Sequence, residues 1–284
     1  MAIERIAVLG AGIMGRGIAY AAAVSGFDTT LYDAVTHVLE RATGEIKGLM
    51  DKGVAAGKLA PEARDKARIK TEDDLSSVVS GRDLVIEAVP EDIRLKCELF
   101  DKLDKYAKPE AILATNTSSL SITEMAGATK RAPLVVGMHF FNPVHRMKLV
   151  EIVRGLETST ETIEAVSVVS MRMGKEPVVV REAPGFVTTR VNALIGNEAF
   201  RMLEEGVASA PDIDKALKLG LNHPMGPFEL VDLVGLDTRL SILEFLSKSL
   251  GERYRPSNLL IQYVKAGRLG RKAGRGVYEY SEGA

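Results

Sequence analysis

The feature that most constrains this chain is a glycine turn between a short apolar run and a helical pattern, close to the first residue. Ile6-Ala-Val-Leu9 predicts a buried strand, Gly10-Ala-Gly-Ile-Met-Gly15 follows at once, and a helical segment ends near Gly26. In this order Gly10 permits the tight turn, Gly12 lets backbone approach a pyrophosphate, and Gly15 lets the helix pack on the strand. The pattern predicts a dinucleotide site at the helix N-terminus, where Ile13 and Met14 also lie.

An acidic residue completes this unit. A second apolar run, Thr29-Thr-Leu-Tyr32, ends in Asp33, about 20 residues after the turn, where a carboxylate would accept from ribose hydroxyls. A carboxylate repels a 2′-phosphate and no arginine follows it immediately, so Asp33 favours NAD over NADP. The alternative is a glycine-rich turn in an unrelated α/β protein, which would not require strand, glycines, helix and acid in this register.

The rest of the first part alternates strand and helix patterns. Further strands are predicted at 69–71, 83–89, 112–115, 135–139, 148–153 and 177–180, with helices at 35–57, after Pro90 and at 159–172. The link between 139 and 148 is too short for a parallel crossover, so we expect an antiparallel pair that brings His139 close to Glu151. The pattern predicts a Rossmann-type, doubly wound α/β fold with a mostly parallel sheet over residues 1–183.

From Pro184 onward the pattern is helical. Helices are predicted at 185–205, 211–219, 227–250 and 256–266, with no strand before the last few residues. We expect a second, all-helical domain over 184–284 that serves as a lid, an oligomerisation surface or both. Its later helices carry more apolar residues than one small bundle would bury, which predicts a two-fold homodimer; these residues are Leu240, Leu243, Leu246, Leu259 and Leu260.

Charge and residue usage argue against several classes of function. The net charge of -1 points to no nucleic-acid partner, and the single cysteine, Cys97, fits a reducing compartment. The four histidines are scattered without metal-ligand spacing, so no metal site is expected. No apolar run approaches the ~20 residues of a membrane span, and the chain runs directly into its first strand without a leader pattern. These observations predict a cytoplasmic protein.

Polar side chains follow several of the predicted strands. Glu91, Asn116 and Ser118 fall just past strand ends, where the ligand crevice of an open parallel sheet lies. An enzyme that oxidises an alcohol needs a group to take the hydroxyl proton, and His139 stands where that group belongs. Glu151 could hold the imidazole, and Ser118 could donate to the substrate oxygen. The alternatives are a histidine satisfied by backbone and a glutamate that points into solvent.

Seven motifs spread over nearly the whole chain carry a family resemblance: Gly10-Ala-Gly-Ile-Met-Gly15, Glu87-Ala-Val-Pro-Glu91, Asn116-Thr-Ser-Ser-Leu120, His139-Phe-Phe-Asn-Pro143, Leu149-Val-Glu151, Pro184-Gly-Phe186 and Met225-Gly-Pro-Phe-Glu229. Together they resemble the 3-hydroxyacyl-CoA dehydrogenase family, and within it the bacterial 3-hydroxybutyryl-CoA dehydrogenases most closely. The resemblance implies oxidation of an (S)-3-hydroxyacyl-CoA to the 3-oxo thioester with NAD, or the reverse reduction.

The resemblance also implies roles for individual residues. His139 would be the acid/base, Glu151 its partner, and Ser118 a substrate contact. The implied cofactor contacts are Gly10, Gly12, Ile13, Met14, Gly15, Asp33, the Glu91 and Lys96 pair, Asn116, Asn142 and Lys272. The implied substrate contacts are Ser118, Asn142, Thr189 and Asn192.

Two departures from the family pattern leave questions open. Thr189 stands where many members have a substrate-binding asparagine, and Leu49 stands where some have a serine that binds coenzyme A. The sequence therefore does not define the coenzyme A contacts, the acyl length or the physiological direction. Two other functions remain: a dehydrogenase of sugar acids or other β-hydroxyacids, and a non-enzymatic NAD-binding protein, which would be expected to have lost His139, Glu151 or Ser118.

Overall fold

A computed structural model describes residues 2–280, and it contains eight strands and twelve α-helices within them. The strands are β1 (Arg5–Leu9), β2 (Asp28–Tyr32), β3 (Ile69–Glu72), β4 (Leu84–Glu87), β5 (Ile112–Thr115), β6 (Val135–Phe140), β7 (Leu149–Arg154) and β8 (Glu176–Arg181). The helices are α1 (Ile13–Val24), α2 (Thr36–Ala55), α3 (Pro61–Lys66), α4 (Leu75–Val79), α5 (Ile93–Tyr106), α6 (Ile122–Gly127), α7 (Thr160–Arg172), α8 (Thr188–Glu204), α9 (Ala210–Gly220), α10 (Pro227–Val234), α11 (Leu236–Leu250) and α12 (Asn258–Lys265).

All eight strands form one sheet in the order β3-β2-β1-β4-β5-β6-β7-β8. The first six are parallel to their neighbours and have the strand order of dinucleotide-binding folds. β6 and β7 are antiparallel, with His139 directly opposite Glu151, and β8 runs parallel to β7. The predicted fold class and the antiparallel pair are therefore confirmed.

The chain divides after Ala183 into two compact units, each with its own core. In the first unit the inner strands are apolar on both faces because helices cover both sides of a parallel sheet. In the second unit the core is built from helix faces and includes Phe200, Phe228 and Tyr254. Serine caps begin four of the helices named above, with Ser121, Ser159, Ser209 and Ser257 each accepting from the backbone amide three residues on.

Several predicted helix boundaries were wrong. The predicted helix 227–250 is two helices, because Gly235 at φ 104° ends α10 and turns the chain before α11. The predicted helix 185–205 begins only at Thr188. Three short helices were not predicted, α3, α4 and α6, each of five or six residues and so too short to show a helical period. Within residues 184–280 there are isolated bridges at Gly270, Arg275 and Glu279 but no strand.

The apolar residues that suggested a homodimer are placed differently from expectation. Leu243, Leu246 and Leu260 are fully buried inside the single chain, because the second unit packs them into its own core. Leu240 and Leu259 are half-buried against the same core. The exposed apolar side chains of this unit are instead Val187, Val191, Val207, Leu219, Leu221, Leu233 and Val234. Among the described residues, no helix combines the length and apolar character needed to span a bilayer.

Candidate active site

The glycine turn after β1 has the tight geometry that its sequence predicts. Gly10 has φ 96°, and a Cβ there would lie 2.7 Å from the carbonyl oxygen of Ala88. A Cβ on Gly15 would lie 1.7 Å from the carbonyl oxygen of Gly10. Gly12 is exposed, and a Cβ there would meet nothing within 4 Å, so the backbone is open to a ligand at this point. Gly10 and Gly15 therefore make the tight turn possible, and Gly12 leaves the backbone of the turn open to a ligand.

A cavity of about 700 Å³ lies beside this turn. Gly10, Gly12, Ile13, Met14 and Asp33 line it, together with apolar residues that include Tyr32, Val38, Leu75, Val89, Leu95 and Leu99. Asp33 also holds the turn, because its carboxylate accepts from the amides of Ala11 at 2.8 Å and Val35 at 3.0 Å. An apolar slot with a carboxylate at its rim fits an adenosine, and the open glycine turn at the start of α1 fits a pyrophosphate.

Glu91 organises the segment that follows β5. One of its carboxylate oxygens accepts from the Thr117 hydroxyl at 2.5 Å, the Ser118 amide at 3.0 Å and the Ser118 hydroxyl at 3.4 Å. The Ser119 hydroxyl is 3.5 Å from the same oxygen. The structure therefore brings together Glu91 and Ser118, two site residues predicted from separate strand ends.

Lys96 is not at the surface of the cavity. Its side chain is 1% exposed, and its ammonium lies 2.5 Å from Oε1 of Glu87 and 3.4 Å from Oε2 of Glu91. Glu87 also accepts from the Thr115 hydroxyl and the Val89 amide. Burial raises the pKa of Glu87, and the Lys96 ammonium opposes this effect. Sequence reasoning gave Glu87 no role, although a carboxylate inside the apolar run Leu84-Val-Ile-Glu-Ala-Val89 was the available signal.

His139 and Glu151 form a buried pair on neighbouring strands. Nδ1 of His139 lies 2.7 Å from Oε2 of Glu151, and the side chains are 8% and 1% exposed. A carboxylate only accepts hydrogen bonds, so Nδ1 carries a proton and Nε2 is the nitrogen that takes up a second one. The Phe141 ring lies beside the imidazole, with 4.4 Å between centroids. The expected proximity of the two side chains is confirmed.

The two asparagines lie near this pair in the first unit. Asn116, at the end of β5, accepts from the amide of Phe140 through its side-chain oxygen at 2.9 Å, which fixes the backbone directly after His139. Asn142 is exposed in the link between β6 and β7. Glu91, Ser118, Asn116 and His139 therefore all follow or end parallel strands at one edge of the sheet.

The remaining predicted site residues belong to the second unit. Thr189 and Asn192 are half-buried and lie three residues apart on α8. Lys272 lies in a short turn of 3-10 helix at Arg271–Ala273, and its ammonium is 2.7 Å from Oδ2 of Asp237. Over residues 2–280 no group of three or more acidic, histidine or cysteine side chains is arranged to bind a metal.

Two family profiles match the chain. The profile described as 3-hydroxyacyl-CoA dehydrogenase, NAD binding domain, matches residues 5–183, and the one described as 3-hydroxyacyl-CoA dehydrogenase, C-terminal domain, matches residues 185–280.

Individual relatives give the same picture. A probable 3-hydroxybutyryl-CoA dehydrogenase of Bacillus subtilis is 45% identical, with 99% of each chain covered. A second, of Deinococcus radiodurans, is 46% identical over 97% of this chain and all of its own. Among solved structures, (S)-3-hydroxybutyryl-CoA dehydrogenase PaaH1 of Ralstonia eutropha superimposes with a TM-score of 0.95 at 42% identity, over 99% of this chain and all of that one. With both profiles matched over nearly the whole chain and full-length relatives at 45% and 46% identity, the chain belongs to the 3-hydroxyacyl-CoA dehydrogenase family.

Proposed function

We propose that this NAD-dependent 3-hydroxyacyl-CoA dehydrogenase interconverts (S)-3-hydroxybutyryl-CoA and acetoacetyl-CoA. The observation that carries the proposal is the buried contact of 2.7 Å between His139 and Glu151, at the sheet edge that also holds the glycine turn. The relatives described above carry the same activity in their names. An imidazole paired with a carboxylate is suited to moving one proton, which is the step that oxidation of an alcohol requires besides hydride transfer.

The proton steps follow from the geometry of this pair. In oxidation, Nε2 of neutral His139 takes the proton of the 3-hydroxyl group, and in reduction the imidazolium returns it to the 3-oxo group. Glu151 accepts from Nδ1, which orients the ring and stabilises the imidazolium. The Ser118 hydroxyl, which donates to Glu91 in the structure, turns to donate to the same substrate oxygen when substrate binds. NAD, when bound, supplies the hydride acceptor for carbon 3.

The proposed cofactor contacts follow the observed turn and cavity. Gly10, Gly12, Gly15, Ile13 and Met14 would hold the pyrophosphate, and Asp33 would accept from the ribose hydroxyls. Glu91, Lys96, Asn116, Asn142 and Lys272 are proposed as further contacts, with Lys96 acting through Glu91 because its ammonium is buried. A carboxylate at Asp33 repels a 2′-phosphate, so NADH should be preferred over NADPH.

The substrate contacts, the domain roles, the homodimer and the cellular location are also proposals. The acyl-CoA is proposed to bind to Ser118, Asn142, Thr189 and Asn192. Residues 1–183 are proposed to form the NAD-binding domain, and residues 184–284 a helical domain for substrate binding and dimerisation. The exposed apolar side chains of the second unit favour a homodimer through that unit. We propose a cytoplasmic enzyme with neither a nucleic-acid nor a membrane partner. Light scattering that gives the mass of one chain at assay concentration would contradict the dimer.

One panel of assays tests the proposed substrate. Acetoacetyl-CoA, longer 3-oxoacyl-CoAs, free acetoacetate and free sugar acids would be compared, each with NADH or NADPH for reduction and the oxidised cofactors for oxidation. We expect acetoacetyl-CoA with NADH to give the highest kcat/KM. A higher kcat/KM on free acetoacetate or a free sugar acid would favour the rival dehydrogenase function, and equal turnover with NADPH would contradict the role of Asp33.

A further inference from the structure

A buried lysine outside the predicted site holds the loop that follows the catalytic strand. Residues 141–147, called the 141–147 loop, form all but the last residue of the link between β6 and β7 and include Asn142. Lys175 lies in the turn between α7 and β8, distant in sequence, and is only 8% exposed. Its ammonium donates to the carbonyl oxygen of Met147 at 2.9 Å and, in a closer contact, to that of Val144. Lys175 therefore binds the loop through its backbone.

The surroundings of Lys175 are unusual for a buried charge. Among residues 2–280, its polar contacts are these two carbonyl oxygens, and no carboxylate forms an ion pair with it. Burial lowers the pKa of the Lys175 ammonium. A buried ammonium without a counter-charge costs free energy, so this lysine is not there for packing alone. What it provides is a set of donors directed at two carbonyl groups of one loop.

The opposite side of the loop rests on the helix of the glycine turn. A Cβ on Gly17, in α1, would lie 2.9 Å from Cγ2 and 3.0 Å from Cβ of Val144, so the helix and the loop are in direct contact only because residue 17 is glycine. The rings of Tyr20, also in α1, and His145 make an edge contact with 6.2 Å between centroids. The loop is thus held between Lys175 and α1.

We propose that Lys175 is a positioning residue that seats the 141–147 loop against α1 and so sets the place of Asn142 beside the cofactor site. Without the ammonium, the carbonyl groups of Val144 and Met147 lose their donor and the loop moves away from Gly17. The cofactor would then bind less tightly, while His139 and Glu151, which are held in the sheet, keep their contact. The inference deepens the proposed role of Asn142, but it does not depend on which hydroxyacid is the substrate.

The test compares three lysine variants in the absence of substrate. Lys175→Met keeps the length and removes the charge and donors, Lys175→Arg keeps charge and donors, and Lys148→Met is the matched control at an exposed lysine directly after the loop. The readouts are hydrogen exchange of the amides of residues 141–147 and the Kd for NADH. For Lys175→Met we expect faster exchange in this loop and a Kd raised on the order of tenfold, the factor for one lost charged hydrogen bond.

The expected pattern includes partial rescue. Lys175→Arg should recover part of the NADH affinity, and Lys148→Met should behave like the parent. In steady state, Lys175→Met should raise the KM for NADH more than it lowers kcat. A Lys175→Met protein that melts at a lower temperature but keeps parental loop exchange and NADH affinity would overturn the proposal, because its role would then be structural only.

A second pair of variants changes the contact between the 141–147 loop and α1. Gly17→Ala pushes against Val144, so it should also speed loop exchange and weaken NADH binding, and adding Val144→Ala removes the nearer of the two contacts and should restore part of the affinity. If Lys175→Met does not fold, this pair tests the step on which the proposal depends, namely that the seat of the loop against α1 sets the affinity for NADH. No recovery in the double variant would overturn the proposal. NADH binding without substrate keeps this test separate from failure of the substrate assignment.

Discussion

Two buried carboxylates, one in each unit, have similar burial and different partners. Glu151 in the first unit is 1% exposed and faces the imidazole of His139. Asp214 in the second unit is 2% exposed and accepts from the amides of Phe228 and Glu229, at the start of α10, and from the hydroxyl of Tyr278. The first carboxylate faces an imidazole, whose second ring nitrogen can take up a proton, and the second accepts from two backbone amides and a phenol hydroxyl.

Under the proposed function, the partner and not the burial separates a carboxylate that assists catalysis from one that only holds the scaffold. Burial raises the pKa of Asp214, and burial together with Asp214 raises the pKa of Tyr278. The Asp214 carboxylate accepts from two amides and a phenol hydroxyl, and it has no part in the proposed proton transfer. Asp214 instead caps α10 from outside, as a side chain that accepts from first-turn amides. Substitutions in the His139–Glu151 pair should therefore lower activity, and substitutions at Asp214 should lower stability.

The largest expected effect is at His139. His139→Gln keeps a polar side chain of similar size and removes the group that takes the proton, so the rate should fall by roughly 10²–10⁴-fold, the range for positioned acid–base catalysis. Assays of acetoacetyl-CoA reduction measure the fall in rate, and circular dichroism checks that the variant is folded. A folded variant with nearly parental activity would assign the proton to another residue.

The second expected effect is at Asp214. Asp214→Ala strands two amides and a tyrosine hydroxyl in the interior, which should lower the free energy of unfolding by about 2–4 kcal/mol. Denaturant unfolding measures this, with the exposed Lys215→Ala on the same helix as control. Activity per folded molecule should stay close to that of the parent. A large loss of kcat in folded protein would break the comparison, because Asp214 would then be part of the chemistry.

A third carboxylate, Asp83, sharpens the comparison because it is a scaffold residue in the same unit as Glu151. It accepts from the amides of Glu4 and Arg5 and from the Lys108 ammonium. Burial alone would raise the pKa of Asp83, but Lys108 and the two amides outweigh it and hold this pKa well below its usual range. The stabilisation is present above the unfolded pKa of about 3.9 and is lost as pH falls through the folded value.

Asp83→Asn should therefore destabilise the protein by on the order of 1–3 kcal/mol at neutral pH while leaving kcat unchanged. The gap in unfolding free energy between parent and variant should narrow as the pH drops below about 4. Urea unfolding at several pH values measures the gap. A gap that stays constant or widens toward acid would show that the charge of Asp83 does not stabilise the fold.

The smallest expected effect concerns Thr189, which stands where many family members have asparagine. Thr189→Val keeps the shape and removes the hydroxyl, so a lost substrate hydrogen bond should cost on the order of 0.5–1.5 kcal/mol, or roughly a two- to tenfold fall in kcat/KM. Asn192→Ala, three residues along the same helix, is assayed in parallel with acetoacetyl-CoA. A valine variant as active as the parent would mean that Thr189 only packs.

Much of the first unit could be predicted because its signals are local. The apolar runs define buried strands, the glycines define the turn, and the length of the link before β7 fixes an antiparallel pair, which placed His139 opposite Glu151. The break of the predicted helix 227–250 was missed because one glycine inside a helical period is often tolerated, and here Gly235 has a φ of 104°, which is not helical.

The partners of charged side chains could not be predicted in the same way. Lys96 was grouped with Glu91, but its ammonium lies closer to Glu87, nine residues earlier on a buried strand. Lys175 follows Gly174 in an ordinary helix-to-strand turn, and its carbonyl acceptors lie about 30 residues earlier in the chain. Such pairings depend on how the helices and strands pack against one another, and the hydrophobic periodicity of the sequence contains no information about that packing.

The central claim, that His139 carries the proton, is tested most directly by measuring the pH dependence of both reaction directions on one enzyme preparation. Oxidation of (S)-3-hydroxybutyryl-CoA needs the neutral imidazole as base, and reduction of acetoacetyl-CoA needs the imidazolium as acid. We predict that kcat/KM for oxidation rises with pH over the range in which kcat/KM for reduction falls, and that both trends disappear in His139→Gln. Parallel trends in the two directions, or opposite trends that persist in the variant, would contradict the account.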